Sequence, residues 1–123
     1  MSDRNQVFVD LLENTYHCMV GVREALSRDN QQEYNIAMNK MQTALKDVYL
    51  YSERYRYIET KKAACAKKII DDYNKFVEVF NKFSAYPFSA RMTSEAQQYG
   101  KKTDALFNEL QDFVIKSLSE FEE

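Results

Sequence analysis

Between Val22 and Tyr86 the chain contains neither glycine nor proline. The whole sequence of 123 residues has only 2 glycines and 1 proline, where average usage would give about 15. Folds rich in β-sheet need many tight turns that depend on these two residues, and collagen-like or disordered Pro/Gly-rich chains need far more of both. The sequence therefore predicts an all-α protein.

Apolar side chains recur at helical spacing in four segments, near residues 3–28, 31–58, 61–84 and 92–121. Four segments of similar length can cover one another, and short connections make successive helices antiparallel. Because 45% of the residues are hydrophobic, the chain can bury one core. The predicted fold is an up-down-up-down four-helix bundle in which residues 1–123 form a single helical domain.

An alternative architecture has one long central helix over residues 31–84, flanked by two shorter helices. The apolar seam keeps an unbroken four-three spacing from Tyr34 to Phe83, and a helix of that length would be about 80 Å long. Polar residues in the middle of this seam would be costly to bury. They are Ser52, Glu59 and Lys62. The spacing leaves both architectures open, and the matched segment lengths favour a break near Thr60.

The connection before the last helix carries stronger boundary signals. Pro87 ends the third helix because proline disfavours helical geometry in the residue before it. Ser94 with Gln97 fits a capping box at the start of the fourth helix. The connecting segment 86–88 is exposed by its position, which makes it a secondary candidate for contact with a partner.

The outward faces of the helices differ in composition. The third helix presents lysines at seven-residue spacing, which is typical of a solvated face. The first two helices instead carry apolar side chains opposite the core, with an arginine beside them. A contiguous apolar patch rimmed by charge is typical of an interface, and Tyr and Arg are enriched at interface hot spots. The predicted partner-binding residues are Ile36, Leu50, Arg54 and Tyr57 in the second helix and Val9, Tyr16 and Val20 in the first.

These features predict a non-catalytic protein–protein interaction bundle that acts as a subunit, adaptor, chaperone or inhibitor. Its partner is another protein or a second copy of the chain, as in a homodimer. The competing interpretation is that the helical phase is off by a residue or two, so that some of these side chains belong to the core. Substitution of Leu50 and Tyr57 by aspartate distinguishes the two interpretations. It should unfold the chain if these side chains belong to the core, and it should abolish only association if they face a partner.

No set of residues predicts catalysis, a metal or a cofactor. The chain has 1 histidine and 2 cysteines, and carboxylate-bridged metal sites in bundles need paired histidines. Cys18 and Cys65 lack the CxxC spacing of metal and redox motifs. They are predicted to be small, buried hydrophobic residues that do not bridge.

His17 and Gly21 are four residues apart in the string HCMVG. This spacing resembles the histidine-to-glycine element of histidine phosphotransfer domains, which are also four-helix bundles. The resemblance covers about five residues and implies a phosphoryl-accepting role for His17. Val20 and Val22 stand where that family carries a lysine and a small residue.

Residues 54–68 combine arginines, tyrosines and lysines, which are the types that pair with phosphates and stack on bases. Binding to nucleic acid or to a nucleoprotein complex is therefore an alternative function, although the net charge of −2 gives no global attraction to a polyanion. The sequence shows neither a signal peptide nor an apolar run of about 18 residues. It predicts a cytoplasmic protein without a membrane-spanning helix.

Overall fold

The computed structural model describes residues 3–28 and 30–122. It contains four α-helices, with a short 3-10 helix at Phe88–Ala90 before the last one. Helices account for 88% of the described residues, which include no strand. The helices are α1 (Asp3–Ser27), α2 (Gln31–Arg54), α3 (Thr60–Ser84) and α4 (Ser94–Phe121). Each helix packs on its neighbour in the chain and α1 packs on α4, which confirms the four-helix bundle.

α2 ends at Arg54 and α3 begins at Thr60, so the alternative of one long helix over residues 31–84 is wrong. Tyr55 closes the end of α2, and its carbonyl accepts the backbone N–H of Glu59 at 2.9 Å. Glu59 and Lys62, two polar residues of the apparent seam, form an ion pair of 3.4 Å beside the turn. A continuous helix would have directed both toward the core, and the break leaves them partly exposed instead.

Two helices begin at residues whose side chains cap them. The Asn30 side chain accepts the backbone N–H of the third residue of α2 at 3.1 Å. The Thr93 hydroxyl accepts the N–H of Ala96 at 3.3 Å, so the cap of α4 is one residue earlier than the predicted Ser94. Gln97 does not complete a capping box, because its side-chain amide donates to the Arg91 carbonyl at 2.7 Å.

The core contains large side chains from all four helices, including Phe8, Met41, Ile69 and Leu110. Several hydroxyl groups are buried with them. Thr15, Thr103 and Ser117 each donate to the carbonyl four residues earlier, at 2.7–2.8 Å. Their hydrogen bonds are satisfied inside their own helices, so no cross-helix polar partner is required.

The phase of α1 differs from the predicted one. Phe8 and Leu12 are fully buried, whereas Val7 is 51% exposed. The Phe8 ring packs on Tyr51 and Phe121, with centroid distances of 5.0 and 5.1 Å. The larger apolar surface of Phe8 thus occupies the core, and Val9 beside it is only 4% exposed. The prediction that Val9 faces outward for a partner is wrong.

Candidate functional site

The outer face of α2 carries the apolar side chains expected there. Ile36 is 50% exposed and Leu50 is 53% exposed, while Tyr57 just beyond the helix is 83% exposed. Residues fourteen positions apart in a helix are about 21 Å apart, so Ile36 and Leu50 are separate spots rather than one patch. Between them lies exposed Thr43, whose hydroxyl donates to the Asn39 carbonyl.

The most exposed apolar side chains of this region lie at the α2–α3 turn. Tyr57 and the adjacent Ile58 are 83% and 66% exposed. The turn that holds them is hydrogen-bonded, because the Tyr55 carbonyl accepts the backbone N–H groups of both Ile58 (3.2 Å) and Glu59 (2.9 Å). We call the surface formed by Leu50, Arg54, Arg56, Tyr57 and Ile58 the turn surface.

The partner-binding residues predicted from the sequence did not include Ile58 or Arg56, and Arg56 belonged only to the basic stretch 54–68. If α2 continued, Ile58 would lie two turns after Tyr51 and share its buried face. Since the helix ends at Arg54, the side chain of Ile58 is exposed to solvent instead. The predicted second segment ran to residue 58, so the break near Thr60 was expected but the early end of α2 was not.

The arginines give the turn surface its charge. The Arg54 guanidinium lies 5.7 Å from the Tyr55 ring centroid, and the Arg56 guanidinium lies 5.0 Å from that of Tyr57. Neither arginine forms an ion pair with a carboxylate in the described part of the chain. The surface therefore combines exposed apolar side chains with two positive charges.

The lysines after the turn are arranged differently. Each of the four lies within 4 Å of an acidic side chain, which offsets its charge. The pairs are Lys61 with Glu120, Lys62 with Glu59, Lys67 with Asp71 and Lys68 with Asp72. Within the basic stretch 54–68, the positive charges that have no carboxylate partner among the described residues are therefore those of Arg54 and Arg56.

The α1 residues predicted for the same site do not join it. Tyr16 and Val20 are half-buried, and Tyr16 packs against the core. Its ring also contacts the imidazole of His17, at a centroid distance of 5.8 Å. With Val9 buried, α1 and α2 do not form one merged apolar patch.

His17 is exposed and lines a shallow groove between α1 and α2 with Gly21 and Lys40. A β-carbon on Gly21 would have no atom within 4 Å, so the glycine leaves this groove open. The accessibility of the imidazole is compatible with phosphoryl acceptance, which stays a prediction.

The connection between α3 and α4 is the second predicted contact region. Pro87 is exposed, whereas the half-buried Tyr86 ring packs near Tyr99 at 6.1 Å. The Arg91 side chain fastens the connection by donating to the Tyr86 carbonyl at 3.3 Å and to the Ser84 carbonyl at 3.5 Å. The side chain of Phe88 lies outside the described residues.

The cysteines are free thiols in different surroundings. Cys65 is buried, and its thiol donates to the Ser117 hydroxyl oxygen at 3.3 Å. Cys18 is half-buried, so the prediction of a buried cysteine holds for Cys65 alone. Burial raises the pKa of both thiols, which disfavours the reactive thiolate form.

Residues 3–28 and 30–122 contain no cluster of three His, Cys, Asp or Glu side chains that could hold a metal ion. None of their helices has the length and apolarity needed to cross a membrane.

Comparison with known proteins adds no relative: the sequence matches no family model, and neither a curated protein nor a solved structure matches it significantly. The candidate function therefore depends on the geometry of the chain itself.

Proposed function

We propose that this protein is a non-catalytic interaction bundle, acting as a subunit, adaptor, chaperone or inhibitor, that binds a partner protein through the turn surface. The observation that carries the proposal is the exposure of Tyr57 and Ile58, 83% and 66%, on a hydrogen-bonded turn between two packed helices. Contiguous exposed apolar surface flanked by charge is typical of a binding site.

The turn surface has the composition that tight interfaces use. Complete burial of a large apolar side chain contributes about 1.5–3 kcal/mol, and Tyr57, Ile58 and Leu50 are all exposed enough to gain from it. The backbone hydrogen bonds of the turn reduce the entropy lost on binding, because the turn is already ordered. A matching partner has an apolar pocket with acidic side chains opposite Arg54 and Arg56.

The role of Ile36 follows from its position on the same helix face. It lies about 21 Å from Leu50 along α2, so a partner that contacts both must extend along the helix. A compact partner would contact the turn surface alone. Ile36→Asp distinguishes these two modes, since it weakens binding only of an extended partner.

The test is the double substitution Leu50→Asp with Tyr57→Asp. Both side chains are exposed, so we expect an unchanged helical circular dichroism spectrum and a melting temperature close to that of the parent. Light scattering after size exclusion measures self-association, and retention of a purified candidate partner on the immobilised bundle measures foreign binding. Both should be lost if the turn surface carries them.

Ile115→Asp is the matched control. Ile115 is an exposed apolar residue of α4, 45% exposed, and it lies outside the turn surface. If Ile115→Asp abolishes association as fully as the double variant does, the proposal is wrong. It is also wrong if the double variant still associates as the parent does. Unfolding of the double variant would show instead that these side chains belong to the core.

Binding to nucleic acid is the less favoured alternative for the same region. Four lysines of the stretch 54–68 are paired with carboxylates, which leaves Arg54 and Arg56 as its uncompensated cations. A mobility shift of single-stranded or duplex nucleic acid that weakens steeply with salt would support the alternative. Absence of a shift at low salt would remove it.

A further inference from the structure

A cleft of about 510 Å³ lies at the other end of the bundle, where the last turns of α1 face the first turns of α4. Residues of all four helices line it. Five aromatic side chains line it, namely Tyr34, Phe76, Phe80, Phe83 and Phe107. This volume is within the range of pockets that hold small molecules, about 300–1,000 Å³.

The aromatic walls are held in place by contacts among the rings. Phe76 stacks on Phe80 with a centroid distance of 5.9 Å and contacts Phe107 at 5.3 Å. Tyr34 reaches Phe80 from α2 at 5.6 Å. Because four of the five rings contact one another across helical turns and between helices, this part of the wall is preorganised for an apolar ligand.

Arg23 places a positive charge at the cleft. Its guanidinium lies 5.1 Å from the Phe107 ring centroid and donates to the side-chain oxygens of Asn108 and Gln111. Both acceptors are neutral amides, and no carboxylate of the described residues pairs with Arg23. The charge is thus oriented but not compensated.

The other charged residues at the cleft are Lys101 and Asp104. Their charges offset each other, so Arg23 leaves the lining with one net positive charge. A guanidinium group attracts carboxylates, sulfonates and related anions through its charge and its remaining N–H donors. Charge complementarity therefore indicates an anionic ligand rather than a neutral or cationic one.

We infer that this cleft binds a small amphipathic anion whose aromatic or aliphatic body packs on the phenylalanine rings and whose acidic group pairs with Arg23. The site is separate from the turn surface, because it lies among the C-terminal turns of α1 and α3 and the N-terminal turns of α2 and α4. The inference stands independently of the proposed partner binding.

Two fluorescent probes with the same body test the inference on the full chain. Anilinonaphthalene sulfonate carries an acidic group, and N-phenyl-1-naphthylamine does not. Titration should show one site for each probe, with the sulfonate bound more tightly. Arg23→Gln should weaken the sulfonate about tenfold, as expected for loss of a charged hydrogen bond, and leave the neutral probe unchanged.

Arg23→Lys and Lys75→Gln are the matched controls. Arg23→Lys keeps the charge and should retain most of the sulfonate affinity. Lys75 is exposed on the outer face of α3, so its loss should change neither titration. Equal weakening by Lys75→Gln, or equal weakening of both probes by Arg23→Gln, would overturn the assignment of the acidic group to Arg23.

Amide chemical shifts locate the bound probe without depending on a variant that folds. We expect the largest changes at Gly100, Thr103 and Asn108, which line the cleft. Changes centred on Tyr57 and Ile58 would instead show non-specific binding to the turn surface and overturn the inference. Failure of both probes to bind would also overturn it, as expected if the cleft receives only a side chain of a partner protein.

Discussion

The Phe83 ring of α3 lies 3.1 Å from the point that a β-carbon on Gly100 of α4 would occupy. This contact explains why a residue with low helix propensity occurs inside α4. Gly21 in α1 differs, since a β-carbon there would meet nothing within 4 Å. The two glycines of the chain therefore form a matched pair for separating helix propensity from packing.

Gly21→Ala should raise the free energy of unfolding by about 0.5–1 kcal/mol, because alanine loses less backbone entropy in a helix. Gly100→Ala should gain less or lose stability, since the Phe83 ring must move to admit the methyl group. Urea unfolding of the two variants measures the difference. Equal gains would show that the Phe83 contact carries no cost.

Removing the cap of α2 or α4 should lower the free energy of unfolding by about 1 kcal/mol. The variants are Asn30→Ala and Thr93→Ala, each of which removes a side chain that accepts a backbone N–H. Ser94→Ala is the control, because Ser94 is inside the first turn rather than at the cap. A larger loss of unfolding free energy from Ser94→Ala than from Thr93→Ala would show that Ser94 caps α4, as the sequence predicted.

Tyr34→Phe should raise the free energy of unfolding at pH 7 by about 1 kcal/mol. The Tyr34 hydroxyl is buried without a hydrogen-bond partner among the described residues, and an unsatisfied buried polar group is destabilising. Phenylalanine keeps the ring contact with Phe80 and removes the hydroxyl. Denaturant unfolding measures the change, and a loss of stability would indicate that the hydroxyl has a partner in solution.

The bundle should lose stability above about pH 10. Burial raises the pKa of the Tyr34 and Tyr73 hydroxyls above their ordinary value of 10.0. As the pH rises past that value, the unfolded chain releases these protons while the folded chain retains them, so the free energy of unfolding falls. Below it both states are protonated and these groups have no effect.

The same Tyr34→Phe variant tests this alkaline effect. It removes the Tyr34 hydroxyl, whose pKa is raised by burial, and leaves that of Tyr73, so its free energy of unfolding should decline less steeply between pH 9 and pH 11 than that of the parent chain. The comparison cancels the titration of other groups, which both proteins share. Parallel curves for the two proteins would contradict the expected contribution of Tyr34.

Cys65 should react with a thiol reagent only when the bundle opens. The thiol is buried beside Ser117, and burial raises its pKa. In the Cys18→Ser variant at pH 8, labelling with a disulfide reagent should be slow in the native state and rapid in denaturant. Cys65→Ser leaves the half-buried Cys18 as the comparison, and equal native rates for the two variants would contradict the burial of Cys65.

The helix order and the inward faces of α2 and α3 could be predicted because one apolar seam with regular four-three spacing runs through both helices, from Tyr34 to Phe83. In α1 the stripe is not unique, since Val7, Phe8 and Val9 are consecutive and only packing selects which of them is buried. Periodicity could not choose Phe8, because its advantage comes from the rings of Tyr51 and Phe121 on other helices.

The candidate sites show the same division. The exposure of Leu50 and Tyr57 could be predicted because their phase opposes the apolar seam. The exposure of Ile58 was not predicted because it depends on where α2 ends. The contact of Arg23 with the Phe107 ring was not predicted because it joins α1 to α4. The apolar periodicity of a segment does not predict which side chains of a distant segment it will contact.

Contact between α1 and α4 joins the two helices that are farthest apart in the chain. Asn5 donates to the Phe121 carbonyl at 3.1 Å near one end, and Arg23 donates to Gln111 at 2.8 Å farther along. The other main packing contacts join neighbours in the chain, and local contacts form quickly. Packing of α1 on α4 closes the longest loop in the chain, so it has the largest entropic cost. We therefore expect it to complete folding last, after two helical hairpins have already formed.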